Sequence, residues 1–251
     1  MIRRLLIVFC GAFAAIAFAA DADSEIGVRL HDIRISHNGR TIRLSLAIFD
    51  EKKFSIRIVD NAAPGDQPRF ASLAIAMDQL GCVAGCNGGF FTRHPFDPFG
   101  LMISEGREFG TFDPASWMNG LLIIRDGKTT LEPCSSLKGK SGITGLLQAG
   151  PWLIRQGTPE PNLDKDRYAS RTFVCRNDHG IWAIGASDPC TPQELASLLT
   201  SAVVKDAIEI QQALNLDGGP STGLWLKQSP ANFYVREGWP VRNYVGVVPR
   251  P

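Results

Sequence analysis

The chain has 251 residues and a formal net charge of +1, from 26 Lys and Arg against 25 Asp and Glu. That balance gives no reason to expect nucleic acid or an anionic membrane surface as a partner. With 44% hydrophobic residues and no repeat or low-complexity tract, the length suits one domain with a sizeable core.

The N-terminus reads as a secretory signal. Arg3 and Arg4 precede an uncharged apolar run from Leu5 to Phe18, and Ala17-Phe18-Ala19 supplies a small-x-small cleavage site. The expectation is a signal peptide over residues 1–20, cut between Ala19 and Ala22, and a domain over residues 21–251. The apolar run is short for a bilayer. Cys10 lies in the middle of that run, which disfavours lipoprotein processing. The expected product is periplasmic or secreted, with no membrane attachment once the signal is removed. Beyond Cys10, Cys82, Cys86, Cys134, Cys175 and Cys190 form an odd set. An oxidising compartment would allow up to two disulfides and one leftover thiol. Cys82 and Cys86 lie about 13 Å apart on an extended chain, too far to bridge unless Gly85 kinks it.

In chain order, Val28 to Ile35, Thr41 to Phe49 and Phe54 to Val59 read as strands, with turns at His37-Asn38-Gly39 and Asp50 to Lys53. Asp66 is expected to cap a helix with Pro68 in its first turn, Phe70, Leu73, Met77 and Leu80 as its apolar stripe, and Gly81 as its end. Cys82 to Cys86 is a short apolar strand ending on Asn87. Further strands are expected at Leu101 to Ser104, Leu121 to Arg125, Trp152 to Arg155, Thr172 to Arg176 and Ile181 to Gly185. Thr191-Pro192-Gln193-Glu194 is a capping box with Pro at the first helical position. That helix leads into a strand at Ala213 to Leu216, and Leu224 to Leu226, Asn232 to Val235 and Tyr244 to Val247 follow. The predicted class is α+β: a single domain with a mixed β-sheet core and a few flanking helices.

Two motifs carry the chemical signal. Asn215-Leu216-Asp217-Gly218-Gly219-Pro220-Ser221-Thr222 and Asn87-Gly88-Gly89-Phe90-Phe91 each end an apolar run on a polar residue followed by two glycines. Glycines there let backbone or ligand approach closely. Asp217 has no charged neighbour in sequence, so burial would raise its pKa toward that of a general acid or base. The alternative is an Asx-turn onto the following backbone. Asn87 can position or donate, with Gly88 and Gly89 presenting bare N–H groups beside it, or simply form an Asn-Gly turn. Arg171 opens a strand after a polar loop and is suited to phosphate, or is a solvated strand end. Ser221 and Thr222 offer hydroxyls without a Gly-x-Ser-x-Gly frame. His94 and Asp97, with Arg93, follow the first motif and are expected near a pocket. His31, His37 and His179 read as surface or structural residues. No His-x-Glu or His-Glu-x-x-His spacing points to catalytic zinc, and Cys86 beside Asn87 reads as a buried thiol more than as a nucleophile.

Asn87-Gly88-Gly89-Phe90-Phe91, Pro98-Phe99-Gly100-Leu101 leading to Glu105-Gly106, Gln148-Ala149-Gly150-Pro151, Arg171-Thr172, Asn215-Leu216-Asp217-Gly218-Gly219 and Arg242-Asn243 together resemble the phosphodiester glycosidase family. The resemblance runs from about Phe70 to Val248. It implies a hydrolase of a sugar-1-phosphodiester; the N-terminal signal adds the expectation of export and of a cell-envelope or exopolysaccharide substrate. By the resemblance Arg171 holds phosphate, Asn87 contacts sugar or phosphate oxygens, and Asp217 acts in acid/base catalysis, with metal ligation as its alternative role. Substrate contacts are expected from Gly88, Gly89, Gly218, Gly219, Ser221, Thr222, His94, Asp97 and Gln148. Glycosidases usually use two carboxylates; Asp97, Glu105 and Asp113 are the candidates for the second. No cofactor is expected, with a divalent metal left open. Two other readings stay open: a non-catalytic carbohydrate-binding envelope protein and a metal-dependent phosphodiesterase.

Overall fold

The computed structural model describes residues 18–23, 27–65, 67–114 and 117–251, with side chains from residue 27 onward. Most of the expected signal peptide, including Cys10, lies outside the described residues, and so does Asp66.

Three antiparallel sheets meet on one core. The largest has eight strands in the order Phe18–Asp23, Arg29–His37, Arg40–Asp50, Ile181–Cys190, Ala169–Arg176, Gln212–Asn215, Trp152–Arg155 and Thr158–Pro159. A second has five, in the order Lys128–Pro133, Gly120–Arg125, Ile143–Ala149, Met102–Ser104 and Arg107–Phe109. The third orders Phe233–Val235, Leu224–Leu226, Ala84–Asn87, Asn243–Pro249 and Phe54–Asp60. Side chains alternate across each strand, so one strand can feed two layers. Along Arg40–Asp50, Ala47 and Phe49 enter the central core with Ile56, Ile58, Leu122, Leu147 and Val245 from the other two sheets. Ile42, Leu44, Leu46 and Ile48 point the other way, under Leu195, Leu198, Leu199 and Val204 of the helices Pro192–Leu199 and Ala202–Ala207.

The α+β, mixed-sheet expectation is corrected. Every strand pair in the three sheets is antiparallel among the described residues. The helices are short, and the fold is β-rich. Two strands of the second sheet, Lys128–Pro133 and Ile143–Ala149, do not stand out in the sequence. The first is largely polar because it is an edge, and the second places Gly145 and Gln148 at positions that only their neighbours explain. The first helix is also shorter than expected. It spans Leu73–Gln79 and is capped by Ser72, whose side chain accepts the Ile75 N–H. Gln67–Pro68 instead pairs with Ala62–Ala63 as a small ribbon. Pro68 lacks an N–H, which suits a strand edge as well as a helix start. The capping box at Thr191 is present in both directions, Glu194 N–H to Thr191 Oγ1 at 3.1 Å and Thr191 N–H to Glu194 Oε2 at 3.0 Å.

The expected disulfides are replaced by free thiols: Cys82, Cys86, Cys134, Cys175 and Cys190 are all unpaired and buried. Burial pushes the Cys86 and Cys175 thiols far above the ordinary range. A thiol so poorly ionised is a packing group and not a nucleophile.

Candidate active site

The site forms where the largest sheet touches the third one. Strand Gln212–Asn215 lies between Ala169–Arg176 and Trp152–Arg155, and the chain beyond it carries Asp217 out of the sheet. The Asp217 N–H donates to Gly88 O at 3.0 Å, and Asn87 Nδ2 donates to Asp217 O at 2.8 Å. Asn87 Oδ1 accepts from Thr172 Oγ1 at 2.6 Å and from the Gly223 N–H at 3.0 Å. One buried amide thus ties Asp217, the Arg171-Thr172 strand and the loop after Gly219 to a single point. The next N–H, that of Gly218, donates to Asp217 Oδ1 at 2.8 Å. This contact is to the adjacent residue, short of the Asx-turn onto Gly219 or Ser221 that stood as the alternative; the Ser221 N–H donates to Gly218 O instead.

Asp217 and Arg171 open onto one cavity of about 630 Å³, walled also by Phe90, Trp117, Arg167 and Tyr168. Burial lifts the Asp217 carboxyl to a pKa of about 6, against opposing hydrogen bonds from Ser221 and the Gly218 N–H and the more distant Arg167 charge. Desolvation of the charged form is the dominant cause. Arg171 is 7% exposed. Its Nε donates to Cys190 O at 2.9 Å, and its Nη2 donates to Arg167 O. Carbonyls aim the guanidinium without neutralising it, and among the described residues no carboxylate pairs with it within 4.0 Å. Desolvation depresses its pKa, with Asp164 acting against that at longer range, so an anion entering the cavity meets a partly dehydrated cation that has no direct ion-pair partner. Trp117 and Tyr168 are each 52% exposed, and Trp117 meets Phe90 edge-on with centroids 4.6 Å apart. No group of three or more His, Cys, Asp or Glu stands ready to hold a metal among the described residues.

The structure divides the expected site residues sharply. Asp217, Arg171, Gly218 and Gly219 line the cavity. Asn87 is 1% exposed and does not; its amide is committed to protein groups. The bare N–H groups expected at Gly88 and Gly89 are not free. Gly88 N–H donates to Asn243 O at 2.9 Å and Gly89 N–H to Asn243 Oδ1 at 2.6 Å. Their glycine character serves this approach, since a Cβ on Gly88 would sit 2.0 Å from Asn243 Oδ1. Gln148 is buried away from the cavity, and its Nε2 donates to the Asp113 and Met118 carbonyls on either side of Trp117. His94 and Asp97 are exposed on a loop that does not line the cavity. Ser221 is buried against Asp217 and accepts from Trp239 Nε1 at 3.2 Å. Thr222 is buried and lines a smaller, neighbouring cavity.

Phe90 and Phe91 part company. Phe90 joins the cavity wall, whereas Phe91 packs on Phe96 with centroids 5.4 Å apart. Glu105 is spent on Arg57 at 3.1 Å, and Asp113 does not line the cavity. The second carboxylate in the cavity is Asp164, whose Oδ1 accepts the N–H groups of Asp166 at 2.8 Å and Arg167 at 2.9 Å. Those two donors hold its pKa low. Asp164, Arg167 and Tyr168 share one polar loop whose only sequence signal is an Asp placed to cap a turn. Asn215 also lines the cavity. Both its N–H groups are used, on Gly150 O at 2.9 Å and Leu216 O at 2.7 Å, while Oδ1 is buried with no partner.

Comparison with curated proteins finds no sequence match. Among solved structures, the fold is similar to the zebrafish N-acetylglucosamine-1-phosphodiester alpha-N-acetylglucosaminidase catalytic domain auto-inhibited by pro-peptide. The TM-score is 0.61 at 17% identity, over 94% of this chain and 83% of that one. A hypothetical protein from Synechocystis is also similar, with a TM-score of 0.61 at 16% identity, over 92% of this chain and 64% of that one. The model of the phosphodiester glycosidase family matches residues 80–248. That stretch contains both glycine motifs, Arg171 and the wall of the cavity, and the chain belongs to the phosphodiester glycosidase family.

Proposed function

We propose that this protein is an exported hydrolase that cleaves the glycosidic C–O bond of a sugar-1-phosphodiester, with a cell-envelope or exopolysaccharide substrate. The observation that carries the reading is the presence of a desolvated carboxylate, Asp217, and a buried arginine with no direct ion-pair partner, Arg171, in one aromatic-walled cavity. A phosphodiester presents a single negative charge and a leaving group that needs little protonation. Arg171 holds that charge and stabilises the departing phosphomonoester. Asp217, ionised above about pH 6, takes a proton from water as the water oxygen bonds to the anomeric carbon. The C1–O bond breaks with its electron pair leaving on the phosphate. Trp117, Phe90 and Tyr168 offer faces to the sugar ring. Asn87 acts as a positioning residue through Asp217 and Thr172.

The test is turnover of methyl N-acetylglucosamine-1-phosphate in ¹⁸O water, with Asp217→Asn beside the wild type. Free sugar carrying the label, methyl phosphate without it, and loss of turnover in the variant would fit the reading. Sugar-1-phosphate as product would mean P–O cleavage and replace it with a phosphodiesterase. No turnover of any sugar phosphodiester would favour a carbohydrate-binding protein.

A further inference from the structure

Two arginines, Arg171 and Arg167, share the cavity wall with Asp217, and their bonds give them different work. Arg171 is buried, and the Nε–Nη2 edge of its guanidinium is divided between two backbone carbonyls, those of Cys190 and Arg167. One of the two edges through which an arginine grips an oxyanion with parallel bonds is therefore taken. Arg167 stands in the opposite condition. It is exposed, and its backbone is held on both sides: the N–H donates to Asp164 Oδ1 at 2.9 Å, and the carbonyl accepts from Arg171 Nη2. The loop 164–168 is tied down further by the Gln193 N–H, which donates to Asp164 O at 3.2 Å, and by the Arg40 guanidinium 4.6 Å from the Tyr168 ring centroid. The Arg167 side chain makes no hydrogen bond and no ion pair within 4.0 Å among the described residues. Asp164 and Asp217 act on it only at longer range. A merely solvated arginine needs no fixed backbone. This one is placed by Arg171 on the wall of the reacting cavity, and its charge is the one that reaches the Asp217 carboxyl. The two guanidinium groups also repel each other, and an anion lying between them relieves that repulsion.

We infer that Arg167 is a second ligand of the substrate phosphate, meeting two of its oxygens through a paired N–H edge, and that Arg171 places it there by holding its carbonyl. The inference rests on the phosphodiester reading of the cavity. A phosphodiester has two unesterified oxygens, which one guanidinium edge spans. Arg171 supplies charge from the buried side and Arg167 from the exposed side, so Arg171 serves both as a phosphate ligand and as the tether of the other.

The test titrates methyl phosphate into the purified wild type, Arg167→Ala and Arg167→Lys in a calorimeter. The Arg167 side chain bonds nothing inside the chain, and its backbone bonds survive either substitution, so both variants should melt with the wild type; melting curves check this. The expected result is an affinity lower by about tenfold or more in Arg167→Ala, with only part of it restored by lysine, which returns the charge without the paired edge. An unchanged affinity in Arg167→Ala, full recovery in Arg167→Lys, or no measurable binding to the wild type at millimolar ligand would overturn the assignment. Turnover of methyl N-acetylglucosamine-1-phosphate and other sugar phosphodiesters is measured in parallel. Affinity lost in Arg167→Ala, with no turnover by the wild type, would keep the phosphate ligand and reject the glycosidase reading. Turnover with an unchanged affinity in Arg167→Ala would reject the role of Arg167 alone.

Discussion

Burial gives Asp217 a proton affinity above that of a free carboxylate, with a pKa of about 6 against roughly 3.9 in an unfolded chain. The folded state therefore binds this proton more tightly than the unfolded state does. The favourable contribution is fully present below about pH 4 and is lost as the pH rises through 6. Above that, the ionised side chain costs the fold about 1–2 kcal/mol after allowance for its partial exposure. Asp217→Asn should match the wild type near pH 4 and melt higher at pH 7.5, while its kcat falls at least a hundredfold. Calorimetry at the two pH values checks the stability; a wild type more stable than the variant at pH 7.5 would contradict the desolvated carboxylate. As a base, Asp217 should also give a kcat/KM profile that rises through an apparent pKa near 6. A profile that falls there would make Asp217 the acid instead. Such a residue trades stability for chemistry, which is the usual economy of active sites.

At the scale of elements, the site depends on two turns brought together by buried amides. Asn87 and Asn243 each connect chain segments far apart in sequence: Asn87 to Asp217, Thr172 and Gly223, and Asn243 to Gly88 and Gly89. Gly88 lies so close to Asn243 that any side chain displaces the amide. Gly88→Ala should destabilise the protein by about 3 kcal/mol through overpacking. It should also lower activity, because Gly88 O receives the Asp217 N–H. Denaturant unfolding with both enzyme and variant at one pH measures the first effect; a change under 0.5 kcal/mol would mean the turn can yield. The same elements show how much of the site could be read in advance. The Asp-Gly-Gly and Asn-Gly-Gly motifs are local and visible, as is Arg171. Whether Gly88 and Gly89 offer their N–H groups to a ligand depends on Asn243, more than 150 residues away, and no local pattern reveals it.

For the molecule as a whole, three antiparallel sheets close on one core in which Trp152, Trp182 and Leu214 meet residues of the other sheets. The two tryptophans keep their N–H groups satisfied, Trp182 on Glu51 Oε2 at 2.9 Å and Trp152 on Asn119 O at 3.2 Å. No disulfide supports this core among the described residues. The melting temperature should therefore be unchanged, within about 1 °C, by a reductant such as dithiothreitol; a fall of several degrees would require a covalent bridge. The apolar alternation of strands such as Arg40–Asp50 and Ile181–Cys190, the capping box at Thr191 and the polar-glycine turns were all determined by the sequence alone. They follow from side-chain period, cap chemistry and backbone freedom, which act over a few residues. The antiparallel order of the sheets, the freedom of the thiols, the retreat of His94, Asp97 and Gln148 from the cavity, and the arrival of Asp164, Arg167 and Trp117 in it were decided only by tertiary structure. Each depends on which distant segments pack together and how far water is excluded between them, and those are properties of the folded core.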